Sequence, residues 1–247
     1  MNNSITLHQR QYALPTQPVV VVCIDGCDPQ YIIQGIADGV CPTIARFHTQ
    51  GFANTADCVM PSFTNPNNVS IITGAPPEVH GIAGNYSLDR ETGKEIMMTD
   101  ASLLRGETLL ALLSEAGIAV AVVTAKDKLR KVLGHNLNGI CFSSEKAGTC
   151  TLEEHGIDDV VELVGRPLPD MYSGDLSLFV LDAGLALLKQ KRAQVLYLSL
   201  SDYIQHKFAP GTAESNEFLK AIDNRLQTFI ELGAIVGCVA DHGMSDK

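Results

Sequence analysis

The chain has 247 residues, 45% of them hydrophobic and 19% charged, and a formal net charge of −10. That length and apolar content suit one large α/β domain and leave little room for long disorder. No Lys/Arg-rich run offsets the negative charge, so nucleic acid and an anionic membrane are excluded as default partners, and a small anion would need local lysines or metal ions to bind.

The polar start MNNSITLHQRQYALPTQP lacks the apolar segment of a secretory signal, and His8 reads as part of a mobile tail. No apolar stretch approaches the ~20 residues of a membrane span. Seven scattered cysteines (Cys23, Cys27, Cys41, Cys58, Cys141, Cys150 and Cys238) form no CxxC pair, which points to reduced, mostly buried thiols in a cytoplasmic protein.

In chain order, residues 18–24 form a β-branched apolar run, as expected of a strand buried on both faces. Helices follow near residues 30–38 and 42–50. Pro66 suits the first turn of a helix carrying Val69, Ile71 and Ile72, which Gly74 ends. Residues 86–98, with Glu-Thr-Gly-Lys in the middle, read as a β-hairpin outside the main sheet. Gly117 closes a helix with Leu109, Leu110, Leu112 and Leu113 on its apolar face, and residues 118–123 form the next buried strand. Residues 150–170 read as an irregular excursion. Then come a helix over 176–191, a strand over 195–200, a long helix over 214–232 and a strand over 234–240. The alternation predicts an α/β fold with a mostly parallel sheet and helices on both faces.

The ends of these strands carry the chemistry. One runs into Asp25, one into Thr124, Lys126 and Lys128, one into Ser201 and Asp202, and one into Asp241 and His242. Ligand sites of open α/β sheets gather at the carboxyl ends of the strands. A single charge there is an ordinary loop start or helix cap, but four strands that deliver polar groups to one edge define a candidate site.

Carboxylate and imidazole together suit zinc, manganese or iron. Asp202 and His206 stand i,i+4, so a helical turn after the strand would put both on one face. Asp241 and His242 are adjacent and converge only if the backbone turns irregularly, which Gly243 would permit. Among the other histidines, His48 and His155 read as surface residues, and His80 and His135, beside glycines, as structural. Thr64 lies just before a helix N-terminus, where free N–H groups and the helix dipole attract a phosphate-like anion. Its hydroxyl reads either as a helix cap, a role Ser62 offers as well, or as a nucleophile activated by a metal ion.

These residues resemble the alkaline phosphatase superfamily, in particular its nucleotide pyrophosphatase/phosphodiesterase-like branch. The matching segments are Ile24-Asp-Gly26, Pro61-Ser-Phe-Thr-Asn-Pro-Asn67, Thr73 to Asn85, Ser201-Asp202 with His206, and Ala240-Asp-His-Gly-Met244, in order across essentially the whole chain. Within that branch, Thr124 to Arg130, Gly139 to Phe142, Asn65 to Asn68 and the run from Gly84 to Met98 are similar to the phosphonoacetate hydrolase family.

The resemblance implies an alkaline phosphatase-like catalytic core that hydrolyses the C–P bond of phosphonoacetate to acetate and phosphate. Asp25, Thr64, Asp241 and His242 would hold one zinc ion, and Asp202 and His206 a second. Thr64 would be the nucleophile, with Asn85, Lys126, Lys128 and His206 also meeting a small organophosphonate substrate. No nucleic acid or membrane partner is implied, and a homodimer is.

The family pattern places a further zinc-binding histidine and a substrate cap beyond Lys247. Residues 1–247 are therefore expected to be a core incomplete at its C-terminus. Two other readings stand beside this one: a nucleotide phosphodiesterase or pyrophosphatase with the same metal site, and a metal-binding remnant without activity. The lysine pair and an aromatic content of only 6% argue against a base-stacking surface, and no Cys-x-Pro-x-Arg motif supports a sulfatase.

Overall fold

The computed structural model describes residues 3–98 and 101–244. In chain order the elements are β1 (Ser4–Leu7), β2 (Arg10–Ala13), β3 (Val19–Cys23), α1 (Pro29–Ala37), α2 (Pro42–Gln50), α3 (Thr64–Thr73), α4 (Pro77–His80), β4 (Tyr86–Leu88), β5 (Glu95–Met97), α5 (Leu109–Glu115), β6 (Val120–Thr124), α6 (Asp127–Leu133), β7 (Ile140–Ser143), α7 (Leu152–His155), α8 (Val160–Val164), α9 (Asp175–Lys189), β8 (Val195–Ser199), α10 (Ala213–Glu231) and β9 (Ile235–Val239). Five strands make a parallel sheet in the order β7-β6-β8-β3-β9. This is the α/β architecture expected from the strand–helix alternation.

Its register fixes where the strands end together. Thr124 pairs with Ser199, Ser199 with Cys23, and Cys23 with Val239. The residues that follow therefore leave the sheet side by side, which brings Ala125, Leu200, Ile24 and Ala240 to one edge.

Side chains alternate across the sheet. Val20, Val22, Ala121, Val123, Leu196 and Leu198 pack against α1, α2, α9 and α10 on one face. Cys23, Val120, Val122, Val195 and Tyr197 pack against Ile72, Leu110, Leu129 and Leu133 from α3, α5 and α6 on the other. Leu198, Phe179 and Phe229 are fully buried, and each such side chain contributes roughly 1.5–3 kcal/mol of transfer free energy. Strand β9 is the exception to double coverage: Ile235, Gly237 and Cys238 on this edge strand are exposed.

Helix α10 illustrates the local logic. Thr212 caps it by accepting from the Ser215 amide, Glu214 stands in the first turn, and Phe218, Leu219, Ile222, Leu226 and Phe229 make the buried stripe. From the same helix the buried Asp223 accepts from the Thr43 and Ile44 amides at 3.1 and 2.8 Å. That carboxylate satisfies the N-terminus of α2, whose own cap residue Cys41 makes no side-chain bond.

Several segments differ from the sequence reading. His8 sits in the turn of the β1–β2 hairpin, not in a mobile tail. The excursion near 150–170 contains α7 and α8, with Ile157, Val160 and Leu163 in the core; Thr151 caps α7, and Gly156 and Gly165 end the two helices in left-handed conformations. His155 is buried there, not a surface residue. Strand β7 extends the sheet on a segment the periodicity did not mark. All seven cysteines are unpaired; four are buried, Cys58 and Cys150 are partly exposed, and Cys238 is exposed. Among the described residues no helix is long and apolar enough to cross a membrane.

Candidate active site

The aligned strand ends open onto a cleft of about 250 Å³ lined by Asp25, Thr64, Asn85, Lys126, Lys128 and Asp202, together with Asn65, Tyr86, Met97 and Ser199. Six of the nine residues read from the sequence thus face one space. Asp241 and His242 stand beside Asp25 and Thr64, and His206 lies out at the surface against Asp202.

The floor is a compact donor cluster. Ligand atoms of Asp25, Asp241 and His242 lie within 4.8 Å of one another. His242 Nε2 is 3.3 Å from Asp25 Oδ1 and 3.3 Å from Thr64 Oγ1. The other ring nitrogen, Nδ1, is 3.1 Å from the Gly243 carbonyl oxygen and donates to it, which orients the ring with Nε2 facing the cluster. Asp241 accepts from the amides of Gly26 and His242 and from the Asn68 side chain.

Two glycines make the cluster possible. Gly26 has φ +68°, and a Cβ there would lie 3.1 Å from the Asp202 Cβ. Gly243, read from the sequence as permitting an irregular turn, does not have a positive φ. Its role is close approach, since a Cβ would meet Asp28 Oδ2 at 2.8 Å.

The cluster fits a divalent cation. Asp25 Oδ1 is buried without a hydrogen-bond partner, 3.3 Å from His242 Nε2. Two carboxylates, one imidazole and an adjacent hydroxyl form a zinc-type donor set. Asp202 and His206 bond to each other at 2.9 Å across one helical turn, as their spacing predicts, and both remain solvent-accessible.

Burial, followed by the charges of Asp241 and Asp202, pushes the Asp25 carboxyl well above its ordinary range. Burial also raises Asp241, with His242 and the backbone amides working in the opposite direction. A carboxyl raised in the folded state stabilises the fold below its unfolded value near 4, and that contribution is lost as pH climbs through the folded value. Metal-free protein should therefore melt at a lower temperature at pH 8 than at pH 5. Asp25→Asn should flatten this dependence and raise the pH 8 melting temperature by a few degrees. Scanning calorimetry in chelator checks this, and a wild-type profile that is flat or rises with pH contradicts it.

Thr64 is the first residue of α3 and not the residue before it. The cap position is Phe63, and no side-chain cap bond forms there. The Thr64 hydroxyl is thus free of capping duty and directed at His242 Nε2. Across the cleft, Lys126 Nζ donates to the Met171 carbonyl at 2.9 Å and stands 5.1 Å from the ring centroid of Tyr172. Sequence reasoning gave no role to Tyr197 or to the region around Met171. Tyr197 lies within a uniformly apolar strand run, and the contact of Lys126 with Met171 spans 45 residues.

Parallel strand ends thus bring a carboxylate–imidazole group able to hold a cation, a hydroxyl at a helix start and two lysines to one place. The chain belongs to the type I phosphodiesterase/nucleotide pyrophosphatase family, whose model matches residues 19–247. Two crystal structures of phosphonoacetate hydrolase from Sinorhizobium meliloti 1021 are similar to it with a TM-score of 0.93. The complex with phosphonoformate is 47% identical and the complex with phosphonoacetate 46%; each match covers 97% of this chain and 59% of that one. An uncharacterized pyrophosphatase/phosphodiesterase of Schizosaccharomyces pombe is 33% identical over 79 residues, 32% of this chain and 16% of its own. The chain thus spans about three fifths of the length of the similar solved structures.

Proposed function

We propose that this chain carries the catalytic core of a zinc-dependent hydrolase that splits the C–P bond of phosphonoacetate into acetate and phosphate. The observation that carries the reading is that one cleft is lined both by Asp25 and Thr64, which adjoin Asp241 and His242, and by Lys126 and Lys128. A substrate with a phosphonyl group at one end and a carboxylate at the other matches that division. The complexes of the two Sinorhizobium meliloti structures support it.

Asp25, Asp241 and His242 would hold one divalent ion together with the Thr64 oxygen, and Asp202 and His206 a second. The ions would supply positive charge that eases loss of the Thr64 proton and offsets charge on the phosphonyl oxygens. Thr64 Oγ1 attacks phosphorus in line as its proton passes to water. The C–P bond breaks, and its electrons leave as the acetate carbanion, drawn as an enolate, which takes a proton from water to become acetate. The ammonium groups of Lys126 and Lys128 stabilise the charge growing on the departing carboxylate. Asn85 donates to a phosphonyl oxygen. Water then attacks phosphothreonine, releasing phosphate and restoring Thr64. The seven unpaired thiols favour a reducing, cytoplasmic setting for this chemistry.

The test is phosphate release by zinc-loaded protein from phosphonoacetate, p-nitrophenyl phosphate and a p-nitrophenyl phosphodiester. Preference for phosphonoacetate is expected. Preference for the diester would transfer the site to phosphodiester chemistry, and zinc binding without turnover of any of the three would remove the catalytic reading.

A further inference from the structure

Asn68 lies under the donor cluster, with none of its surface exposed, and the mechanism above gives it no part. Its amide is fully used. Nδ2 donates to Asp241 Oδ2 at 3.0 Å and to the Thr64 carbonyl at 3.2 Å. Oδ1 accepts from the Tyr197 hydroxyl at 2.9 Å and the Ser199 hydroxyl at 3.4 Å. An asparagine amide has two donor hydrogens and two acceptor lone pairs, so all four are engaged.

The direction of the amide is fixed chemically. Turned over, it would set its oxygen against a carboxylate and a carbonyl, both of which only accept. Tyr197 and Ser199 project from β8 onto the face that packs α3, because side chains two apart share a face. They anchor the amide to the strand whose end delivers Ser201 and Asp202.

We infer that Asn68, oriented by Tyr197 and Ser199, is a positioning residue: one amide sets the metal-ligand oxygen of Asp241 and the backbone of the nucleophile Thr64 relative to each other. The inference rests on the metal site proposed above. Tyr197 and Ser199 extend it into the central sheet. Groups that hydrogen-bond to metal ligands typically alter metal affinity 10–100-fold when removed.

The test compares zinc affinity of the full chain, by competition with a chromophoric chelator, for wild type, Tyr197→Phe and Asn68→Leu. Leucine keeps the γ-branching of asparagine while removing its polar atoms. Circular dichroism and melting in chelator report the fold separately. Tyr197→Phe should stay folded and bind zinc about tenfold more weakly, and folded Asn68→Leu should lose up to about 100-fold. A purely structural role would lower the metal-free melting temperature and leave zinc affinity within threefold of wild type; Tyr197→Phe behaving so overturns the inference while the metal site stands. Absence of zinc binding by the wild type overturns both. Where turnover is measurable, kcat should fall with KM nearly unchanged, since neither residue contacts substrate.

Discussion

Thr64→Ala should lower turnover of phosphonoacetate by on the order of 10⁴-fold or more, the scale seen when a catalytic nucleophile is removed. That loss corresponds to about 5 kcal/mol of activation free energy or more. The expectation comes from what the hydroxyl is not doing. At the start of α3 it forms no cap bond, and it faces the donor cluster, 3.3 Å from His242 Nε2 and hydrogen-bonded to the Asp25 carboxyl. Its removal leaves the helix N-terminus, Asp25, Asp241 and His242 in place, so zinc should still bind. Thr64→Ser keeps the oxygen and should retain measurable turnover. Kinetics and chelator competition on the same preparations give the two readouts. A Thr64→Ala protein within tenfold of wild type would remove the nucleophile from the mechanism.

The parts legible in the sequence were those with one strong physical cause. Residues 19–23, 120–124, 195–199 and 235–239 lie in apolar runs because their strands are in the sheet interior or pair along it, and the polar residue after each run marked the edge. Gly74 was readable as a terminator because a left-handed C-cap favours glycine.

The illegible parts had weak or distant causes. The β1–β2 hairpin turns through His8 and Gln9, both at positive φ, without the Asn-Gly or Gly-Gly signature that usually reveals such turns. Helices α7 and α8 have four and five residues, too few for a 3.6-residue period to register. Asp241 and His242 converge by means of a close approach between Gly243 and Asp28, a contact over 200 residues apart in sequence. Asn68 could be singled out only within a run of asparagines, because its partner Tyr197 lies 129 residues away.

Replacing both Lys126 and Lys128 with alanine should cost phosphonoacetate hydrolysis about 10²–10⁴-fold in kcat/KM and p-nitrophenyl phosphate hydrolysis less than about tenfold. A hydrogen bond from an ammonium to an anion contributes roughly 1.5–3 kcal/mol, so two contribute about 3–6. At about 1.36 kcal/mol per factor of ten, that sets the range for the carboxylate-bearing substrate. p-Nitrophenyl phosphate has no carboxylate, and its leaving phenolate needs less help than a carbanion. In the structure Lys126 donates to the neutral Met171 carbonyl. A substrate carboxylate is a stronger acceptor and would displace that bond at modest cost. Lys128 is exposed on the same wall, so its charge becomes effective only as substrate excludes water. The kinetic constants locate the charge. Loss confined to KM would place the lysines on the ground-state carboxylate, whereas loss in kcat would place them on the enolate as the bond breaks. Equal losses on both substrates would contradict the division of the cleft into a phosphonyl end and a carboxylate end, because a general disturbance of the site treats the two substrates alike.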